Sequence, residues 1–105
     1  MSTVTPATWP SFPFNETFST EFLRQVPKTD LHCHFDGSVR LETLVDLAKQ
    51  QNVPLPTYDI TQLKTRAFRS TYTSLKEYLD CFQYTIAVLR TTDALERVAY
   101  EQACD

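Results

Sequence analysis

The sequence predicts an α/β chain that is predominantly helical, with one strand at about residues 29–35. Three observations carry this. Leu31, Cys33 and Phe35 alternate with Asp30, His32 and His34, a period of two that gives a strand one apolar face and one histidine face. Leu41, Leu44, Val45 and Ala48 then fall at i, i+3, i+4 and i+7, the stripe of an amphipathic helix over about 40–51. Between the two lies Asp36-Gly37-Ser38, which holds the only glycine in 105 residues. That turn is where the backbone is expected to need either a positive φ or a close approach.

The remaining elements follow in order. Residues 1–16 carry Pro6, Pro10 and Pro13 among Ser and Thr, and are expected to be a flexible lead-in to a folded part over 17–105. A short helix is expected from Ser19 or Thr20, with Phe22, Leu23 and Val26 apolar and Pro27 as its stop. After the 40–51 helix, Asn52 supplies the close, and Pro54 and Pro56 prevent resumption. A short helix near Ile60–Thr65 sits within a long connection. Ser74-Leu75-Lys76-Glu77 fits a capping box. Leu75, Tyr78, Leu79, Phe82, Ile86 and Leu89 then share one stripe of a single following helix. Thr92 or Asp93 starts the last helix, with Leu95, Val98 and Ala99 apolar.

Composition narrows the function classes. Ten Lys and Arg stand against 13 Asp and Glu, a net charge of −3, which argues against a nucleic-acid binder. No apolar run approaches the roughly 20 residues of a membrane span. The N-terminus lacks the basic start and apolar stretch of a signal peptide. Three widely spaced cysteines without a Cys-x-x-Cys suggest free buried thiols and a cytoplasmic setting.

One constellation carries chemistry: His32 and His34, the only histidines in the chain. Residues two apart on a strand project from the same face, so two imidazoles can converge on one ion with Zn–N bonds of about 2.0–2.1 Å. The competing reading is a pair of surface histidines on an edge strand. Two ligands are in any case fewer than the three or more of a catalytic zinc site. Cys33, between them, should point to the opposite face and is not counted as a ligand.

Pro27-Lys28-Thr29-Asp30-Leu31-His32-Cys33-His34-Phe35-Asp36-Gly37-Ser38, followed by Arg40-Leu41-Glu42-Thr43-Leu44, closely resembles the first barrel strand of the adenosine deaminase family. That family lies within the metal-dependent amidohydrolase superfamily. Ser74–Phe82 and Arg97–Glu101 resemble later segments of the same family. The resemblance implies a (β/α)8 TIM barrel, of which this chain would be an N-terminal, incomplete part, since such a barrel needs about 250 residues. It implies that His32 and His34 are the first two ligands of a single Zn2+. It implies that Asp36 hydrogen-bonds the sugar of a purine nucleoside, and that Leu75, Tyr78, Leu79 and Phe82 form an apolar wall over the purine. Tyr78 stands where the family often has Phe. Read from the residues alone, that stripe is helix core, and Asp36 is a turn residue.

The implied reaction is zinc-dependent hydrolytic deamination: zinc-acidified water attacks C6 of adenine and ammonia leaves, giving inosine. The residues that handle protons lie downstream in the family, so none is assigned here. The chain alone is expected to be inactive. Two other readings fit the same residues: another His-x-His metallohydrolase barrel, and a non-catalytic truncated form acting as a binding module.

Overall fold

The computed structural model describes residues 18–105, so the expected lead-in at 1–16 lies outside the described residues. The described residues divide between Asp30 and Leu31 into two compact units. In the first, α1 (Thr20–Gln25) starts where Ser19 Oγ accepts from the Phe22 amide at 3.1 Å. Glu21 and Gln25 pair along it at 2.6 Å, and Phe18 stacks on Phe22 with ring centroids 5.0 Å apart. Pro27, which has no N–H to continue a ladder, follows the cap residue Val26.

The second unit holds a 3₁₀ turn (Phe35–Gly37) and five helices: α2 (Leu41–Gln51), α3 (Ile60–Arg66), α4 (Leu75–Asp80), α5 (Phe82–Val88) and α6 (Thr92–Cys104). The strand expected at 29–35 does not form, and no strand is present among the described residues. His34 keeps extended backbone (φ −89°, ψ 113°), but the chain then turns at once, with the Gly37 amide donating to His34 C=O at 3.0 Å. The reason is that a strand is a shared object. Alternation marks two faces, but the ladder needs a neighbouring strand, and the described residues supply none. The supposed apolar face accordingly stays open: Leu31 is 95% exposed, and only Phe35 packs against the core.

Helix α2 is the centre of the unit. Its apolar stripe buries Leu44, Leu47 and Ala48 against Val88 of α5 and Ala94 and Val98 of α6. Asn52 closes α2 in the left-handed region (φ 55°, ψ 39°), and the Val53 amide donates to Ala48 C=O at 2.9 Å. In α3, which Asp59 caps by accepting from the Gln62 amide at 2.8 Å, Leu63 is fully buried. Gln51 reaches α5 and donates to Val88 C=O at 2.8 Å.

The single helix expected after Ser74 is broken in two at Cys81. There the Cys81 thiol donates to Tyr78 C=O at 2.8 Å, and the Cys81 amide turns to the same carbonyl at 3.4 Å. That tightens the last turn of α4 and interrupts the i→i−4 ladder. Ser74 does cap α4, accepting from the Glu77 amide at 3.2 Å. The reciprocal half of the box is redirected: Glu77 accepts from the amide and hydroxyl of Thr73, at 2.9 and 2.8 Å, and from Arg69.

Polar bonds join α6 to α2. Thr43 donates to Glu101 at 2.6 Å, and Arg97 bridges Glu101 (3.1 Å) and Asp46 (3.2 Å). Arg40, just ahead of α2, donates to both carboxylate oxygens of Asp105 at 2.8 and 2.5 Å.

Candidate functional site

His32 and His34 come just before the 3₁₀ turn, His34 on extended backbone, and both are exposed. Their rings meet edge to face with centroids 5.0 Å apart, and the two Nε2 atoms are 3.1 Å from each other. Two nitrogens that close can bond one zinc ion at about 2.0–2.1 Å each; the same separation also lets one ring donate to the other. Imidazole nitrogen suits zinc among the first-row metals, so the pair fits two positions of such a site. Among the described residues no group of three or more His, Cys, Asp or Glu is gathered for a metal ion. The site as described is therefore a pair of nitrogen donors.

Asp36 lies in the turn, its Oδ1 3.8 Å from His34 Nδ1. That is ion-pair range and too long for a hydrogen bond. The carboxylate stands on the side of the ring away from the nitrogen that faces His32. Gly37 does not take a positive φ. Its need is the close approach: a Cβ there would stand 3.3 Å from Phe82 Cε1 and 3.6 Å from Cζ. The small residue lets the turn press against the aromatic ring of α5.

A cavity of about 420 Å3 opens beside the histidines, lined by His34, Cys33, Ser38, Tyr78, Leu79 and Phe82 together with Gly37. A second, of about 200 Å3, shares Gly37, Tyr78 and Phe82 with the first and adds Asp36, Tyr72 and Thr85. Tyr78 and Phe82 thus form a partition, their rings edge to face at 5.4 Å, and Tyr78 packs in the same way on Tyr72 at 5.3 Å. Burial raises the pKa of the Tyr72 phenol, and its bond toward Cys81 adds to this. The structure therefore brings Tyr78, Leu79 and Phe82 to the cavity that His34 lines, and Asp36 to its neighbour. Leu75 lines neither; it lies one turn earlier on α4 and is 71% exposed. The stripe is not helix core as the residues alone suggested, since Leu79 and Ile86 are 52% and 56% exposed.

Sequence reasoning missed the residues that hold the histidine segment in place. Gln102 Nε2 donates to Cys33 Sγ at 2.8 Å, and Cys33 Sγ lies 3.4 Å from Ser38 Oγ. Ser38 Oγ donates back to His34 C=O at 2.9 Å. Ser38 was legible as a turn residue. The Gln102–Cys33 contact spans 69 positions and has no local signature.

The family model for adenosine deaminase matches residues 27–105, which include the histidine pair, the turn and all five helices of the second unit. The chain belongs to the adenosine deaminase family. Its similarity to individual family members is substantial. It is 42% identical over 92 residues to a probable adenosine deaminase of Dictyostelium discoideum, covering 87% of this chain and 12% of that protein. It is 44% identical over 77 residues to the adenosine deaminase of Shewanella woodyi, and 47% identical over 77 residues to that of Vibrio vulnificus, each covering 72% of this chain and 23% of the relative. This adenosine deaminase family chain thus spans less than a quarter of the length of these relatives. No solved structure matches it.

Proposed function

We propose that this chain supplies the first metal-ligand pair and part of the substrate wall of a zinc-dependent adenosine deaminase, a (β/α)8 barrel acting on adenosine or a related purine. The observation that carries the reading is the convergence of His32 and His34 Nε2 to 3.1 Å at the rim of an apolar, aromatic-walled cavity. His32 and His34 would hold the ion. When bound, a zinc ion supplies Lewis acidity and acidifies water near neutral pH. The chain's own residues do the rest of what is described here. Tyr78, Leu79 and Phe82 offer flat apolar surface for a purine ring and exclude water from that side. Asp36, one cavity over, offers an acceptor to a sugar hydroxyl. No proton-handling group is assigned, and the remaining metal donors would come from beyond these residues. A cytoplasmic setting belongs to the same reading and is supported by three free cysteines, of which Cys81 is buried as expected while Cys33 and Cys104 are exposed.

The test is an equilibrium zinc titration of the chain beside an assay of inosine formed from adenosine. Saturable one-to-one binding that is lost in both His32→Ala and His34→Ala is the expected result, with no inosine formed. Zinc binding untouched by both substitutions overturns the ligand assignment. Inosine formed at enzymatic rates overturns the expectation that this chain alone is inactive.

A further inference from the structure

We propose that Gln102, on the last turn of α6, is the positioning residue that holds the histidine pair in its converged geometry through Cys33. The inference rests on the reading of His32 and His34 as metal ligands.

The problem to be solved is mechanical. The two imidazoles are exposed, and among the described residues no strand lies beside them to fix their spacing by a ladder. A restraint on Cys33 acts on both side chains, because its peptide units join it directly to His32 and His34. Gln102 meets Cys33, the amide Nε2 donating to Sγ at 2.8 Å. Ser38 closes the other side, 3.4 Å from Sγ and donating to His34 C=O at 2.9 Å. The segment is therefore held at Cys33 Sγ and at the His34 carbonyl, on either side of one peptide unit.

The grip is referenced to the core. Ala94 and Val98 of α6 are buried against α2 and α5, so the position of Gln102 is set by packing. A second tether from the same turn of α6 brackets the loop: Arg40, beyond the 3₁₀ turn, bonds Asp105 and reaches Glu101 C=O at 3.5 Å. Of the two, the Gln102 contact falls between the histidines, whereas Arg40 lies six positions after His34. Partners that orient metal ligands typically change metal affinity by about 10–100-fold when removed. A sulfur is a weak acceptor, so the low end of that range is expected.

The test uses the full 105-residue chain and two independent readouts. In zinc titrations, Gln102→Ala and Cys33→Ala should each weaken binding about tenfold. The double variant should be no weaker than either single one. Cys33→Ser, which keeps an acceptor, should retain most of the affinity. The thermal midpoint of the metal-free chain should not move with these losses. The second readout needs no metal: the imidazole 15N–1H spectra of the metal-free chain should show two rings with dispersed shifts that collapse toward free-imidazole values in Gln102→Ala. Unchanged spectra together with unchanged zinc affinity in Gln102→Ala overturn the proposal while leaving the ligand assignment intact. An affinity loss that merely tracks a fall in thermal midpoint also overturns it. If the parent chain binds no zinc but its ring shifts still collapse in Gln102→Ala, the metal reading fails and the positioning role stands.

Discussion

At the scale of single residues, the contact between Gly37 and the Phe82 ring decides how closely the turn behind the histidines can approach α5. A methyl added at Gly37 would meet the ring edge at 3.3 Å, so the ring must give by a few tenths of an ångström. Gly37→Ala is therefore expected to destabilise the chain by about 1 kcal/mol through overpacking, read from a denaturant melt. It should shift the Phe82 ring resonances without abolishing the fold. An unchanged Phe82 environment would contradict the packing argument. Asn52 makes the converse case. Its backbone is left-handed (φ 55°), a region that costs a residue with Cβ roughly 1–2 kcal/mol and glycine nothing. Asn52→Gly should be neutral or slightly stabilising, and Asn52→Val destabilising by at least about 1 kcal/mol. Both roles were legible in the residues as a type: the lone glycine as a point of need, and Asn as a helix stop. Which of two needs Gly37 serves was not, because the answer depends on a ring 45 positions away.

At the scale of elements, periodicity read the helices well wherever one face meets the core. The stripe Leu41, Leu44, Val45 and Ala48 became α2, and Thr91 caps α6 by accepting from the Ala94 amide at 3.1 Å. Leu44 is fully buried in that stripe, and Leu44→Ala should cost about 2–5 kcal/mol in chemical denaturation. A loss under about 1 kcal/mol would mean that the α2 face is not the core. Two elements resisted the same reading. The alternation at 30–35 is real, but a ladder takes its second half from another segment, so one strand's sequence cannot supply it. The stripe from Leu75 to Leu89 is also real, but hydrophobic spacing carries no trace of the break at Cys81, where the thiol and amide both turn to Tyr78 C=O. The site showed the same division. The His-x-His pair was visible locally, whereas the grip on Cys33 from α6 was not.

At the scale of the molecule, three carboxylates give a stability that depends on pH. Hydrogen bonds from the amide and then the hydroxyl of Thr73, with Arg69 behind them, hold Glu77 at about 2. Burial raises Glu101, but the Thr43 hydroxyl and Arg97 outweigh it, leaving Glu101 below the usual range, and Arg40 holds Asp105 low as well. A folded pKa below the unfolded one means that the unfolded chain binds more protons in the interval, so stability rises with pH there. For Glu77 the contribution is present above about 4.5 and is lost as the pH falls to about 2. Thermal melts should therefore show a falling midpoint across that window, and Glu77→Gln should flatten the descent; an equally steep descent in the variant would refute the assignment. Stability is also uneven through the fold. Helix α4 has no buried residue, while α2 has five. Yet α4 carries Tyr78 and Leu79, two members of the cavity wall. In the language of amide exchange, it belongs to the least protected part of the unit: backbone amides of 75–80 should exchange well before those of 44–51. One wall of the cavity can then loosen at the cost of α4 alone, whereas Cys33 is bonded to α6 through Gln102, so the two sides of the cavity open at different free energies.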